Sequence, residues 1–121
     1  MERFDTICNA FEATAAGNDS AAVALSCRDC VLDVVKLIFD LSKVKLPESA
    51  SMLELLDSPV VTGYIDNAEV INALQFVRIL GINAQHGQHI KKTEAQLARN
   101  NTAFFLGFIR NKLQPEQHDV K

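Results

Sequence analysis

The chain has 121 residues, of which 48% are hydrophobic and 22% charged, and a net charge of −3. This is the make-up of one ordinary globular domain, long enough to bury a core without help from a metal or a disulfide. Three Cys make no complete disulfide framework. The charged start Met1-Glu2-Arg3-Phe4-Asp5 does not read as a signal peptide, and no apolar run approaches the roughly 20 residues of a membrane span. The expectation is a cytoplasmic protein with no membrane association.

In chain order, Phe4, Ile7, Cys8, Phe11 and Ala15 recur at helical spacing and predict an amphipathic helix over 2–16, with Gly17 as its C-cap. Asn18-Asp19-Ser20 offers N-caps for a second helix, about 20–42. Val23, Ala24, Cys27, Val31, Val34, Val35, Ile38 and Leu41 form its stripe, and Leu25, Leu32 and Phe39 widen it, so this helix is expected to be central. Pro47 closes the next loop. Ser51-Met52-Leu53-Glu54 fits a capping box for a short helix through Leu55 and Leu56. Ser58-Pro59 interrupts it, and one or two further turns follow over 60–65. Asp66 with Glu69 reads as the start of a long helix to about 85. Val70, Leu74, Val77 and Gly81 face inward there, while Phe76, Ile79 and Ile82 lie on other faces. His86-Gly87 ends it. Thr93 with Gln96 reads as a third capping box, and the last helix covers about 94–113, with Ala98, Phe105, Ile109 and Leu113 inward. Arg99 and Arg110, eleven residues or three turns apart, share one flank. Pro115 stops the helix, leaving a bundle over 1–114 and a polar tail or linker over 115–121. No sustained alternation and no Asn-Gly turn argues for a strand. The predicted fold is all-α, a compact bundle of five or six helices.

Charge is uneven along this chain. Residues 1–77 carry five Lys/Arg against twelve Asp/Glu, whereas 78–112 carry Arg78, Lys91, Lys92, Arg99, Arg110 and Lys112 against Glu94 alone. A basic segment in an acidic chain is a candidate nucleic-acid contact, the plainer alternative being a solvated face.

Few residues point to chemistry. Cys27-x-x-Cys30 and His86-x-x-His89 have the residue types of a zinc site. Both Cys fall inside a long apolar helix, however, where Cys behaves as a small hydrophobe, and more than fifty residues intervene. A redox reading needs the pair at a helix N-terminus, and it lies mid-helix. There is no phosphate-binding Gly-rich loop and no Gly-x-Ser-x-Gly elbow. No metal and no cofactor is expected. Arg78, Asn83 and His86 gather toward one helix end. An Arg and a His together suit phosphate binding or acid–base cleavage of RNA. The structural alternative has His86 capping the helix end and Arg78 bonding the neighbouring helix, with Gly81 marking a close helix approach.

The run Arg78-x-x-Gly81-x-x-Ala84-x-His86, then Thr93-Glu94-Ala95, resembles the uncharacterised helical DUF family number 4145. The earlier helix, with Cys27-Arg28 and Val31-Leu32-Asp33-Val34-Val35, is similar to that family's preceding helix, and the resemblance spans about 20–113. It implies a HEPN-like bundle of the kind found at the amino terminus of the motor (R) subunit of type I restriction enzymes, ahead of nuclease and helicase domains. Some HEPN-like bundles are dimeric, metal-independent RNases with an Arg-x(4–6)-His motif. Here seven residues separate Arg78 from His86, and Ile82 stands where the family has Asn. The expected function is therefore a non-catalytic accessory module in bacterial DNA restriction or defence, with RNase chemistry through Arg78 and His86 as the alternative. Candidate contact residues are Arg28, Arg78, Asn83, His86, Lys91, Lys92, Arg99 and Arg110. Expected partners are other restriction subunits, a second copy through the helix ending at 85, and nucleic acid through 78–112.

Overall fold

The computed structural model describes residues 2–113, so the expected stop at Pro115 and the polar tail lie outside the described residues. Six helices follow in order: α1 (Glu2–Ala15), α2 (Ser20–Leu41), α3 (Met52–Asp57), α4 (Pro59–Ile65), α5 (Ala68–Gln85) and α6 (Lys92–Leu113). The fold is an all-α bundle, with no strand among the described residues.

The helix ends follow local chemistry. Asp19 accepts from the N–H groups of Ala21 and Ala22 and opens α2. The capping box at α3 is present in both halves: Ser51 Oγ accepts from Glu54 N–H, and Glu54 accepts from Ser51 N–H at 2.9 Å. Those bonds favour the ionised acid and hold the Glu54 carboxyl below its ordinary value. Ser58 ends α3 and, with Pro59 in the first turn, starts α4.

Three expected ends differ. Asp66 does not open α5; it closes α4 in the left-handed region (φ 48°), and Asn67 is the cap, its side chain accepting from Val70 N–H. Helix α6 begins at Lys92, two residues early. Its reciprocal bond runs from Lys91 N–H to Glu94, so Thr93 and Gln96 form no box. Gly17 has no positive φ and is no left-handed C-cap. Gly87 does (φ +74°), and with Gly87 N–H on Ala84 O and Gln88 N–H on Asn83 O it ends α5 in a Schellman turn.

Helix α2 is central, as its broad apolar cover predicts: it packs on α1, α5, α6 and the short α3 and α4. Ala24, Cys27, Val31, Val34, Val35 and Ile38 are fully buried, whereas Leu41 is exposed. Cys27 meets Thr102 of α6, and Ser20 and Lys92 line one cleft, so α2 and α6 run the same way. Helix α1 runs against both, with Arg3 in its first turn paired to Asp40 at the end of α2. Helix α5 also opposes them, and Asn101 Nδ2 on α6 donates to Ala73 O on α5. The bundle is thus built round α2, with α1, α5 and α6 packed on it and α5 packed on α6 as well, and α3–α4 form the connection from α2 to α5.

Candidate functional site

The eight candidate residues fall into four places and do not converge on one site. Arg28 lies at the α2–α5 seam. The two helices approach so closely at Gly81 that a Cβ there would sit 2.7 Å from Arg28 Cβ and 2.8 Å from its Cδ. This is the close approach expected of a mid-helix glycine. Across that contact, Arg28 Nη1 donates to Gln85 Oε1 at 2.7 Å, and Nη2 reaches Asp29 at 3.5 Å. The guanidinium is spent on its own fold.

The end of α5 holds Arg78, Asn83 and His86. Arg78 does not bond a neighbouring helix: its Nε donates to Gln75 Oε1, one turn back on α5, at 2.7 Å. His86 is the C-cap residue, and its backbone N–H donates to Ile82 O at 3.1 Å. The imidazole is exposed and makes no hydrogen bond among the described residues, so the capping expected of the ring is done by the backbone. Arg78 and His86 stand about 12 Å apart along the axis, at ~1.5 Å per residue. Asn83 is half-buried, and its carbonyl takes part in the Schellman turn.

Arg99 and Arg110 share one flank of α6, as their spacing predicts, and both reach toward α1. Arg99 Nη2 donates to Gly17 O at 3.2 Å and Nη1 to Gln96 Oε1 at 3.1 Å. Arg110 Nη1 meets Asp5 at 3.3 Å, its guanidinium lies 5.0 Å from the Phe4 ring centre, and Nη2 donates to Cys8 Sγ at 3.6 Å. Lys91 and Lys92 are exposed at the start of α6. Lys112 Nζ lies over the Tyr64 and Phe108 rings at 5.5 and 5.6 Å.

The Cys and His residues do not assemble. Cys8, Cys27 and Cys30 are buried and His86 and His89 are exposed, and no cluster of three or more metal-ligating side chains exists among the described residues. Burial pushes the Cys27 thiol up and the Cys30 thiol up to about 12, and it raises Cys8 despite the adjacent Arg110. These are the reverse of the low values that a nucleophilic or metal-binding thiol needs.

Sequence reading missed the outer face of α5 and α6 as a unit. Leu97 and Phe104, seven residues apart on α6, are 48% and 57% exposed, and they flank Asn101, which reaches across to α5. On α5, Ile79 is 48% exposed and Phe76 half-buried. Helical spacing turns all four away from α2. The signal was an apolar pair, Leu97 and Phe104, opposite the inward stripe of the last helix.

No helix of the described residues is long and apolar enough to cross a membrane. No family model, no curated protein and no solved structure matches the chain.

Proposed function

We propose that this domain is a non-catalytic helical interaction module that acts by contact through the outer face of α5 and α6. The observation that carries this reading is the set of large apolar side chains left exposed on these two helices, Ile79, Leu97 and Phe104, which are more exposed than Leu41, Val44 and Leu53 elsewhere among the described residues. Contiguous exposed apolar surface marks interaction sites, and large apolar side chains anchor them. The resemblance to DUF family number 4145 extends the reading to a module of type I restriction motor subunits or a stand-alone relative, with another subunit or a second copy as the partner. A second copy is the simplest occupant to test. Sedimentation equilibrium is expected to show concentration-dependent association that Phe104→Asp removes while circular dichroism stays unchanged. A wild-type chain that stays monomeric under all conditions removes the self-association form of the reading. Cleavage of RNA by the wild type, abolished in His86→Ala, would overturn the non-catalytic reading altogether.

A further inference from the structure

A cleft of about 300 Å³ opens where the α1–α2 turn faces the first two turns of α6. Its polar lining is Asn18, Ser20, Lys92, Thr93, Gln96 and Arg99: two cations, two hydroxyls, two amides and no carboxylate. Lys92 and Arg99, two turns apart, share the flank of α6 that faces this turn. Glu94, the acid of that first turn, is engaged with Lys91 N–H, and Asp19 is spent capping α2.

Arg99 is the telling residue. Arg3, Arg28 and Arg110 each have a carboxylate partner among the described residues, whereas Arg78 and Arg99 have none, and of those two it is Arg99 that lines this cleft. Its guanidinium is half-buried and anchored by two neutral acceptors, Gly17 O and Gln96 Oε1. Its Nε–H is buried and finds no acceptor among the described residues. A positive charge withdrawn from water with neither a counter-charge nor a full set of acceptors is costly. One N–H on each Nη remains for a ligand, on a planar guanidinium whose geometry suits oxyanions.

We propose that this cleft binds a phosphate group, free or as the monoester end of a small molecule. Arg99 and Lys92 supply the charge, and the Ser20 and Thr93 hydroxyls and the Asn18 and Gln96 amides supply further donors around the oxygens. The opening of α6 adds the positive end of its dipole to the same place. Donors arriving from two sides match a tetrahedral anion with acceptors all round better than a planar carboxylate with two oxygens. The site is separate from the α5–α6 outer face and does not depend on the contact reading.

The test is an amide-resolved NMR titration of the whole chain with inorganic phosphate and, separately, adenosine monophosphate, against sodium chloride of equal ionic strength. Saturable shifts confined to residues 17–20 and 92–99 are expected with both phosphates. Equal affinities assign the site to phosphate itself and a tighter monophosphate assigns it to a phosphoester, and either result sustains the proposal. Arg99→Gln is expected to abolish the shifts, though Arg99 also holds the α1–α2 turn and its loss can disturb the fold. Lys92→Gln removes only an exposed side chain and is the deciding variant, expected to weaken binding about fivefold, the upper end for one exposed charge. Identical shifts with chloride, shifts that map elsewhere, or unchanged affinity in Lys92→Gln would overturn it.

Discussion

At residue scale, Gly81 is required by a neighbour and Gly107 is not. Both lie inside long helices, where glycine is less favourable than alanine by about 1 kcal/mol. At Gly81 an added methyl meets the Cβ of Arg28, which cannot swing aside as a side-chain tip can. Overpacking costs about 1–3 kcal/mol, so Gly81→Ala is expected to be destabilising by about 1 kcal/mol after the propensity gain. Gly107 has nothing within 4 Å of its would-be Cβ. Gly107→Ala should therefore stabilise by roughly 0.5–1 kcal/mol, and urea unfolding of the two variants should move in opposite directions. The thiols give a second residue-scale expectation. Burial pushes the Cys30 thiol up to about 12 from an ordinary 9.0. A raised folded value means that stability is intact below about 9 and is lost as pH rises from there toward 12, because only the unfolded chain releases the proton readily. Cys8 and Cys27, also raised by burial, pull in the same direction. Urea midpoints at pH 8 and pH 10 check this; equal midpoints contradict it.

At element scale, the caps show what local sequence decides. Asn67→Ala is expected to cost about 1 kcal/mol, because its side chain takes Val70 N–H at the start of α5. Thr93→Ala is expected to be near neutral, since Thr93 makes no capping bond. Thermal melts of the two variants separate these outcomes. The inward stripes, the central place of α2 and the Ser51–Glu54 box were legible because each depends on residues within a turn or two of one another. The starts of α5 and α6 were misplaced because Asp66-Asn67 and Lys91-Lys92-Thr93 each present neighbouring candidates, and tertiary packing chooses among them. Asp66 follows α4 with only Asn67 before α5, so one residue must turn the chain and the next must cap. What sequence periodicity cannot carry is partnership across helices. Nothing local tells that Arg99 reaches Gly17, 82 residues away, that Arg110 reaches Asp5, or that Arg28 spans the Gly81 contact to Gln85. The shared flank of Arg99 and Arg110 was readable from their spacing; what that flank faces was not. The same holds for His86: its position at a helix end was legible, whereas the roles of its backbone and its ring were not.

At the scale of the whole molecule, the basic segment is less basic than its composition. Six cations fall within 78–112, yet Arg110 is drawn onto Asp5 and Phe4, Lys112 lies over two aromatic rings, and Arg78 is tied to Gln75. Those three anchor the α1, α4 and α5 sides of the bundle and do not form one patch. Lys91 and Lys92 are exposed at the start of α6, and Arg99, though bonded to Gly17 O and Gln96, shares a cleft with Lys92. Were the domain to hold a nucleic acid, this distribution would set the salt dependence of binding. Each phosphate neutralised on a single strand contributes about −0.7 to the slope of log K against log salt. If all six cations engaged, the slope would be about −4, and with the three at the α6 start it is about −2. Fluorescence anisotropy of a labelled single-stranded oligonucleotide over a range of salt concentrations measures it directly. A nucleic-acid contact through this cluster would give a slope near −2, smaller in magnitude by about 0.7 in Lys92→Gln, and no binding at any salt concentration would remove the nucleic-acid partner. A slope near −4 would mean that Arg78, Arg110 and Lys112 leave their intramolecular partners on binding, and that the anchoring seen here gives way to a different arrangement of α6 in the complex.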